Sequence, residues 1–203
     1  MKTLTSSLLA TFFVVATTLS FMPGGAIHAF AQGQPHAKIQ ATQSTDASSS
    51  VPAQVVALDE CDPTTFNAAL GPNFCHNVAL AALGYATTLS DLFAKAGAGT
   101  PDPGWDFEPD TLSVKQGTPV IAVDQGGEPH TFTEVAQFGG GFIPGLNAGQ
   151  EVVPECQGGF SRVEVARTRI IQGSQLQVSG LSKGKHYFQC CIHPWMRVEV
   201  DVK

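Results

Sequence analysis

The feature that most constrains the fold lies near the end of the chain, at His186, Tyr187, Phe188, Gln189, Cys190, Cys191, Ile192, His193, Pro194, Trp195 and Met196. A thiol, an imidazole and a thioether stand there at a Cys-x-x-His-x-x-Met spacing. An extended run precedes them, and the alternating Val198, Val200 and Val202 follow. Alternation of period two predicts a strand on each side, so the loop between them reads as a metal-binding connection.

A soft thiolate with two imidazoles in one plane, and a weak thioether on the axis, suits copper that cycles between two oxidation states. The loop offers three of those four ligands. The second imidazole must come from elsewhere, and His130, in Gly126-Gly127-Glu128-Pro129-His130-Thr131, is the candidate.

With these residues in place, the C-terminal hundred residues resemble the cupredoxins, the type 1 blue copper proteins. The short ligand loop is most similar to the amicyanin and pseudoazurin end of that family. The resemblance implies an all-β, Greek-key sandwich with His130, Cys190 and His193 as equatorial ligands of one type 1 copper ion and Met196 on the axis. It implies transfer of single electrons to a redox partner protein, which docks on an apolar patch where the ring edge of His193 is exposed beside Pro194 and Trp195. It also gives Thr131 the place of a side chain that steadies the ligand loop.

Of the two adjacent cysteines, the family's strand pattern favours Cys190. Counting back six, four and two residues from it gives Gly184, His186 and Phe188, two of the three matching glycine, aromatic, aromatic. Counting from Cys191 gives Lys185, Tyr187 and Gln189 and leaves one residue before His193. His186 reads as a packed strand histidine.

Residues 1–31 read as a secretory signal: Lys2, an uncharged apolar run through Leu8, Phe12, Val15 and Leu19, then Ala29-Phe30-Ala31 as a small-x-small cleavage site. Export to the periplasm or beyond follows, with membrane attachment only if the signal stays uncleaved. Residues 32–54, rich in Gln, Ala, Ser and Thr, read as a flexible linker. The formal net charge of −6 disfavours nucleic acid and anionic membrane as partners.

Residues 55–100 form a partly helical extension ahead of the copper domain at 101–203. Asp62 and Pro63 start one short helix that carries Phe66, Ala69 and Leu70, and a second lies around Leu89, Leu92 and Phe93. All five cysteines follow the signal, where disulfides persist. If Cys190 is a ligand, three pairings of the others remain. Cys61 with Cys75 is the local choice, which leaves Cys156 with Cys191. His76 beside Cys75 reads as a polar neighbour of a disulfide.

Downstream of Pro101 and Pro103, short apolar runs separated by Gly and Pro predict a sandwich. Leu112 and Val114, Val120 to Val123, one strand from His130 to Val135, and Val163, Val165, Ile170, Ile171, Leu176 and Val178 supply its strands. A glycine-rich loop over 136–160 covers part of the sandwich or the partner face. The three glycines at 139–141 lack the GxxxxGK pattern of a phosphate cradle.

The enzyme reading is weak. The six histidines stand at 28, 36, 76, 130, 186 and 193 and form no His-x-His pair, as multicopper sites would need. Two other readings remain beside a monomeric electron carrier: a module that stores, delivers or senses copper, and a sandwich that kept the fold for structural purposes.

Overall fold

The computed structural model describes residues 52–203; the expected signal at 1–31 and all but the end of the 32–54 linker lie outside the described residues. The strands are β1 (Ala53–Leu58), β2 (Asp106–Glu108), β3 (Thr111–Val114), β4 (Val120–Asp124), β5 (His130–Thr131), β6 (Thr133–Val135), β7 (Arg169–Ile170), β8 (Gln175–Val178), β9 (Gly184–Gln189) and β10 (Arg197–Val202). The α-helices are α1 (Pro63–Leu70), α2 (Val78–Ala82), α3 (Leu89–Gly97) and α4 (Val163–Arg167). None of the described helices is long and apolar enough to cross a membrane.

Two four-stranded sheets run in the orders β2-β1-β4-β8 and β3-β10-β9-β6, and β5 pairs with β7 in a separate ribbon. The alternation read from the sequence explains how the sheets meet. In β10, Val198, Val200 and Val202 are buried while Arg197, Glu199 and Asp201 face outward. In the other sheet Val55, Ala57, Val120 and Ala122 turn into the same core. Aromatic rings fill the space between: Phe132 stacks on Phe188 with centroids 4.4 Å apart, and Phe107 meets Phe132 edge-on at 5.4 Å. Such pairs add about 0.5–1.5 kcal/mol beyond the area they bury.

The segment ahead of Pro101 contributes to this core. β1 lies between β2 and β4, antiparallel to the first and parallel to the second. The Asp62 side chain caps α1, accepting from the N–H groups of Thr64 and Thr65, and the Thr88 hydroxyl caps α3 by accepting from Asp91 N–H. These caps match the start signals in the sequence. Phe66, Leu92 and Ala96 project from the two helices into the common core.

Two expectations need correction. The strand expected from His130 to Val135 is broken at Phe132, so that β5 joins the ribbon and β6 joins β9. The chain changes partners at this residue: Phe132 N–H still donates to Thr168 O at 2.8 Å, in register with the β5–β7 pairs, its ring is buried in the core, and from Thr133 onward the pairing is with β9. Val163 and Val165, expected on a strand, lie on α4. One turn of helix buries Val165 and leaves Val163 exposed, so the two do not share a face.

Disulfides join Cys61 to Cys75 and Cys156 to Cys191. The second ties the 136–160 segment to the ligand loop. That segment is folded into short 3-10 turns at Pro144–Leu146, Pro154–Cys156 and Gly159–Ser161, and Phe142 N–H donates to Cys191 O at 2.8 Å. Gly141 is required at this crossing, because a Cβ there would stand 2.1 Å from Cys191 O.

Candidate metal centre

Cys190 directly follows β9, and Met196 directly precedes β10, so the loop between them closes a hairpin of the second sheet. Its geometry is set by the backbone: Cys190 N–H donates to Met196 O, and Met196 N–H to His193 O, both at 3.0 Å. His130 enters from β5, carried to the same point by the ribbon with β7.

These elements bring one thiol and two imidazoles together. Cys190 Sγ lies 3.9 Å from Nδ1 of His130 and 3.9 Å from Nδ1 of His193. All three residues are buried, and their potential ligand atoms lie within 4.8 Å of one another. Cys190 is the free cysteine among the described residues, since Cys191 is bonded to Cys156. Met196 is also buried, at the loop's end.

The spacing suits a bound ion. With bonds of ~2.3 Å to sulfur and ~2.05 Å to nitrogen, a 3.9 Å separation subtends roughly 125° at a shared metal, close to a trigonal arrangement. The sulfur is further held by N–H groups of Thr131 and His193, both 3.5 Å away. The Thr131 hydroxyl accepts from Cys191 N–H at 2.7 Å, which ties β5 to the ligand loop at the place the resemblance gave it.

Charge is shared among these groups. Burial disfavours the Cys190 thiolate, yet hydrogen bonding and charge from His130 and His193 bring the thiol well below its ordinary value. Burial likewise opposes the charged form of His130, but Asp59 and Cys190 on either side raise it well above the ordinary imidazole range.

The sequence reading missed a second layer of residues. Asp59, just beyond β1, places Oδ2 3.0 Å from Nε2 of His130. Glu128 Oε1 lies 3.1 Å from Nε2 of His193 and accepts a hydrogen bond from the indole N–H of Trp105. Single carboxylates have no periodicity to reveal them. The sequence places Asp59 just after the apolar run Val55–Leu58, with no histidine or cysteine spacing to mark it.

His193 is not exposed as expected. It is 1% accessible and is enclosed by Trp105, Trp195 and His130, with ring centroids 6.1, 5.5 and 5.4 Å away. The helical segment and the 136–160 loop both reach the His193 side, which the resemblance could not supply. Between them lies a cavity of about 280 Å³ lined by Phe66, Leu70, Phe74, Phe93, Phe142, Phe160 and other apolar residues, with Glu128 and His193 among its walls. Leu70, Phe93 and Phe160 are exposed at 49%, 39% and 40%. His186 lies apart from the cluster and pairs through Nδ1 with Glu134 at 2.6 Å, and His76 is exposed.

No family model matches the chain, and no curated protein matches it in sequence. Among solved structures it is similar to a purple cupredoxin from Nitrosopumilus maritimus, with 13% identity over 74% of this chain and 99% of that one, at a TM-score of 0.37. It is also similar to a mutant of amicyanin in its reduced state, with 20% identity over 48% of this chain and 73% of that one, at a TM-score of 0.32.

Proposed function

We propose that this is an exported type 1 copper protein that carries single electrons between redox partners and is not an enzyme. The reading rests on one observation: a single buried free thiol stands 3.9 Å from the Nδ1 atoms of two buried imidazoles. His130, Cys190 and His193 would hold the ion, with Met196 as the axial thioether. Copper would supply a one-electron couple, and a thiolate, imidazole and thioether set suits both of its oxidation states.

The chain's own residues do the rest. The hydrogen bonds of the Cys190–Met196 loop and of Thr131 hold the ligands with little freedom to rearrange, which favours fast exchange of an electron. Trp105 and Trp195 pack beside the His193 ring, which is almost wholly buried. Burial of all three close ligands favours a resident ion over one handed on easily, so the carrier reading is preferred to storage or delivery. Two disulfides agree with an oxidising, extracytoplasmic compartment.

A redox partner protein would dock near His193, on the apolar surface formed by Leu70, Phe93 and Phe160 at the mouth of the cavity. Contacts of this kind are small and transient, below ~1,200 Å².

The test is the visible spectrum of the purified protein after addition of Cu(II), beside Cys190→Ser. An intense thiolate-to-copper charge-transfer band, lost in the variant, is the expected result. A protein that stays colourless after prior reduction with a mild thiol reagent sinks the electron-carrier reading.

A further inference from the structure

Both imidazoles present the same nitrogen to the same sulfur, and each has a buried carboxylate at its far nitrogen. We infer that Asp59 and Glu128 are positioning residues of the metal centre: they hold the proton on Nε2 of His130 and His193, so that Nδ1 of each ring is left to bind the ion. The inference rests on the copper reading above and names the residues that set its geometry.

The Asp59 carboxylate is built into place. Oδ1 accepts from Cys61 N–H at 3.1 Å and from the Asn77 amide at 2.6 Å. Oδ2 accepts from Gly127 N–H at 2.6 Å, from Glu128 N–H at 3.0 Å and from the His130 ring at 3.0 Å. Acceptor-only oxygens with this many donors belong to an ionised carboxylate. With its lone pairs so committed, Asp59 is a poor ligand for a second cation, although Asp59, Glu128 and His130 lie close enough together to suggest one. The remaining role is to orient His130, as outer partners of metal-binding histidines do.

Glu128 acts on the other ring from a different direction. It is 2% exposed, receives the Trp105 indole N–H and faces His193 Nε2. It precedes His130 by two residues, so the Glu128-Pro129-His130 turn places one imidazole while its carboxylate meets the other. The Asp59 charge also stands one ring away from the ion. A buried anion at that range favours the more highly charged oxidation state.

The test uses the full chain. In metal-free protein, NMR of the ring nitrogens is expected to show a proton on Nε2 of both His130 and His193; an unprotonated Nε2 on either ring overturns the inference without reference to copper. Glu128→Leu is expected to lower Cu(II) affinity by about 10–100-fold, and Glu128→Gln, which keeps an acceptor, to restore most of it. Asp59→Asn is expected to reduce the ratio of Cu(II) to Cu(I) affinity about tenfold, equivalent to ~59 mV for one electron. Wild-type metal affinity in Glu128→Leu, or a second metal equivalent bound per chain, overturns the assignment. If Asp59→Asn does not fold, the NMR result and the Glu128 variants still decide it. A wild-type protein with Nε2 protonated on both rings but no copper uptake would instead overturn the proposed function alone.

Discussion

Asp124 is a residue whose side chain costs the fold something. It is fully buried at the end of β4; Oδ1 accepts from Gly126 N–H at 3.0 Å, while Oδ2 has no partner among the described residues. Burial pushes its carboxyl up to about 7, with the negative charges of Asp59 and Cys190 adding to the effect and His130 opposing it. The folded chain therefore keeps a proton there that the unfolded chain releases near pH 4. Stability from this group is undiminished below about pH 4, falls as pH rises towards about 7, and is level above that. Asp124→Asn is expected to unfold at a higher urea midpoint than the wild type at pH 8, by of order 2–4 kcal/mol, with the gain shrinking towards pH 4. A gain of equal size at both pH values would mean that ionisation of Asp124 is not its source. The same residue scale shows what sequence reading could reach. That Cys190 and His193 come together was legible because their spacing is local, and that His130 joins them was legible because the loop lacked a second imidazole. Asp59 was hidden because its partner His130 is far away in sequence and a lone acid has no pattern.

At the scale of elements, the strands flanking the ligand loop were legible from the valine alternation in β10, and α1 and α3 from their caps. The break at Phe132 was not, because a Thr-Phe-Thr run satisfies strand periodicity whether or not it changes sheets. α4 was missed because five residues with valines two apart fit either period, and only the burial of Val165 decides between them. The disulfide between Cys156 and Cys191 is the element-level link that holds the 136–160 segment on the ligand loop. Cys191 is next to the candidate ligand, and the bridge leaves Cys190 as the free thiol among the described residues. Replacing both cysteines by alanine removes a cross-link between positions 35 residues apart without creating a free thiol. The chain-entropy estimate for that closure is about 4 kcal/mol. The double variant is expected to show a marked fall in thermal midpoint and faster proteolysis within 136–160. An unchanged midpoint with wild-type protease resistance would show that the Gly140–Glu151 and Phe142–Cys191 backbone bonds suffice to hold the segment.

At the scale of the molecule, composition and Pro-rich punctuation suggested a sandwich that begins near Pro101, with a helical segment laid against it. The structure gives that earlier segment a direct share in the sheet and in the site. Among the described residues, β1 is the sole sheet partner of β2 and one of two partners of β4. The run Ala53–Leu58 was hard to recognise as a strand because it follows a polar stretch and has no turn signal before it. A chain starting at Pro101 loses Val55, Ala57, Phe66, Leu92 and Ala96 from the core and uncovers Trp105 and Phe107. Each larger buried side chain contributes about 1.5–3 kcal/mol, and the whole of a domain's stability is about 5–15 kcal/mol. The truncated chain also lacks Asp59, which anchors both His130 and the turn at Gly127. It is therefore expected to be unfolded or aggregated by circular dichroism and to form no charge-transfer band with Cu(II), whereas a chain starting at residue 47 is expected to behave as the longer protein does. Cooperative unfolding and a normal copper band in the chain from Pro101 would show that the β3-β10-β9-β6 sheet can assemble the site without the segment before it.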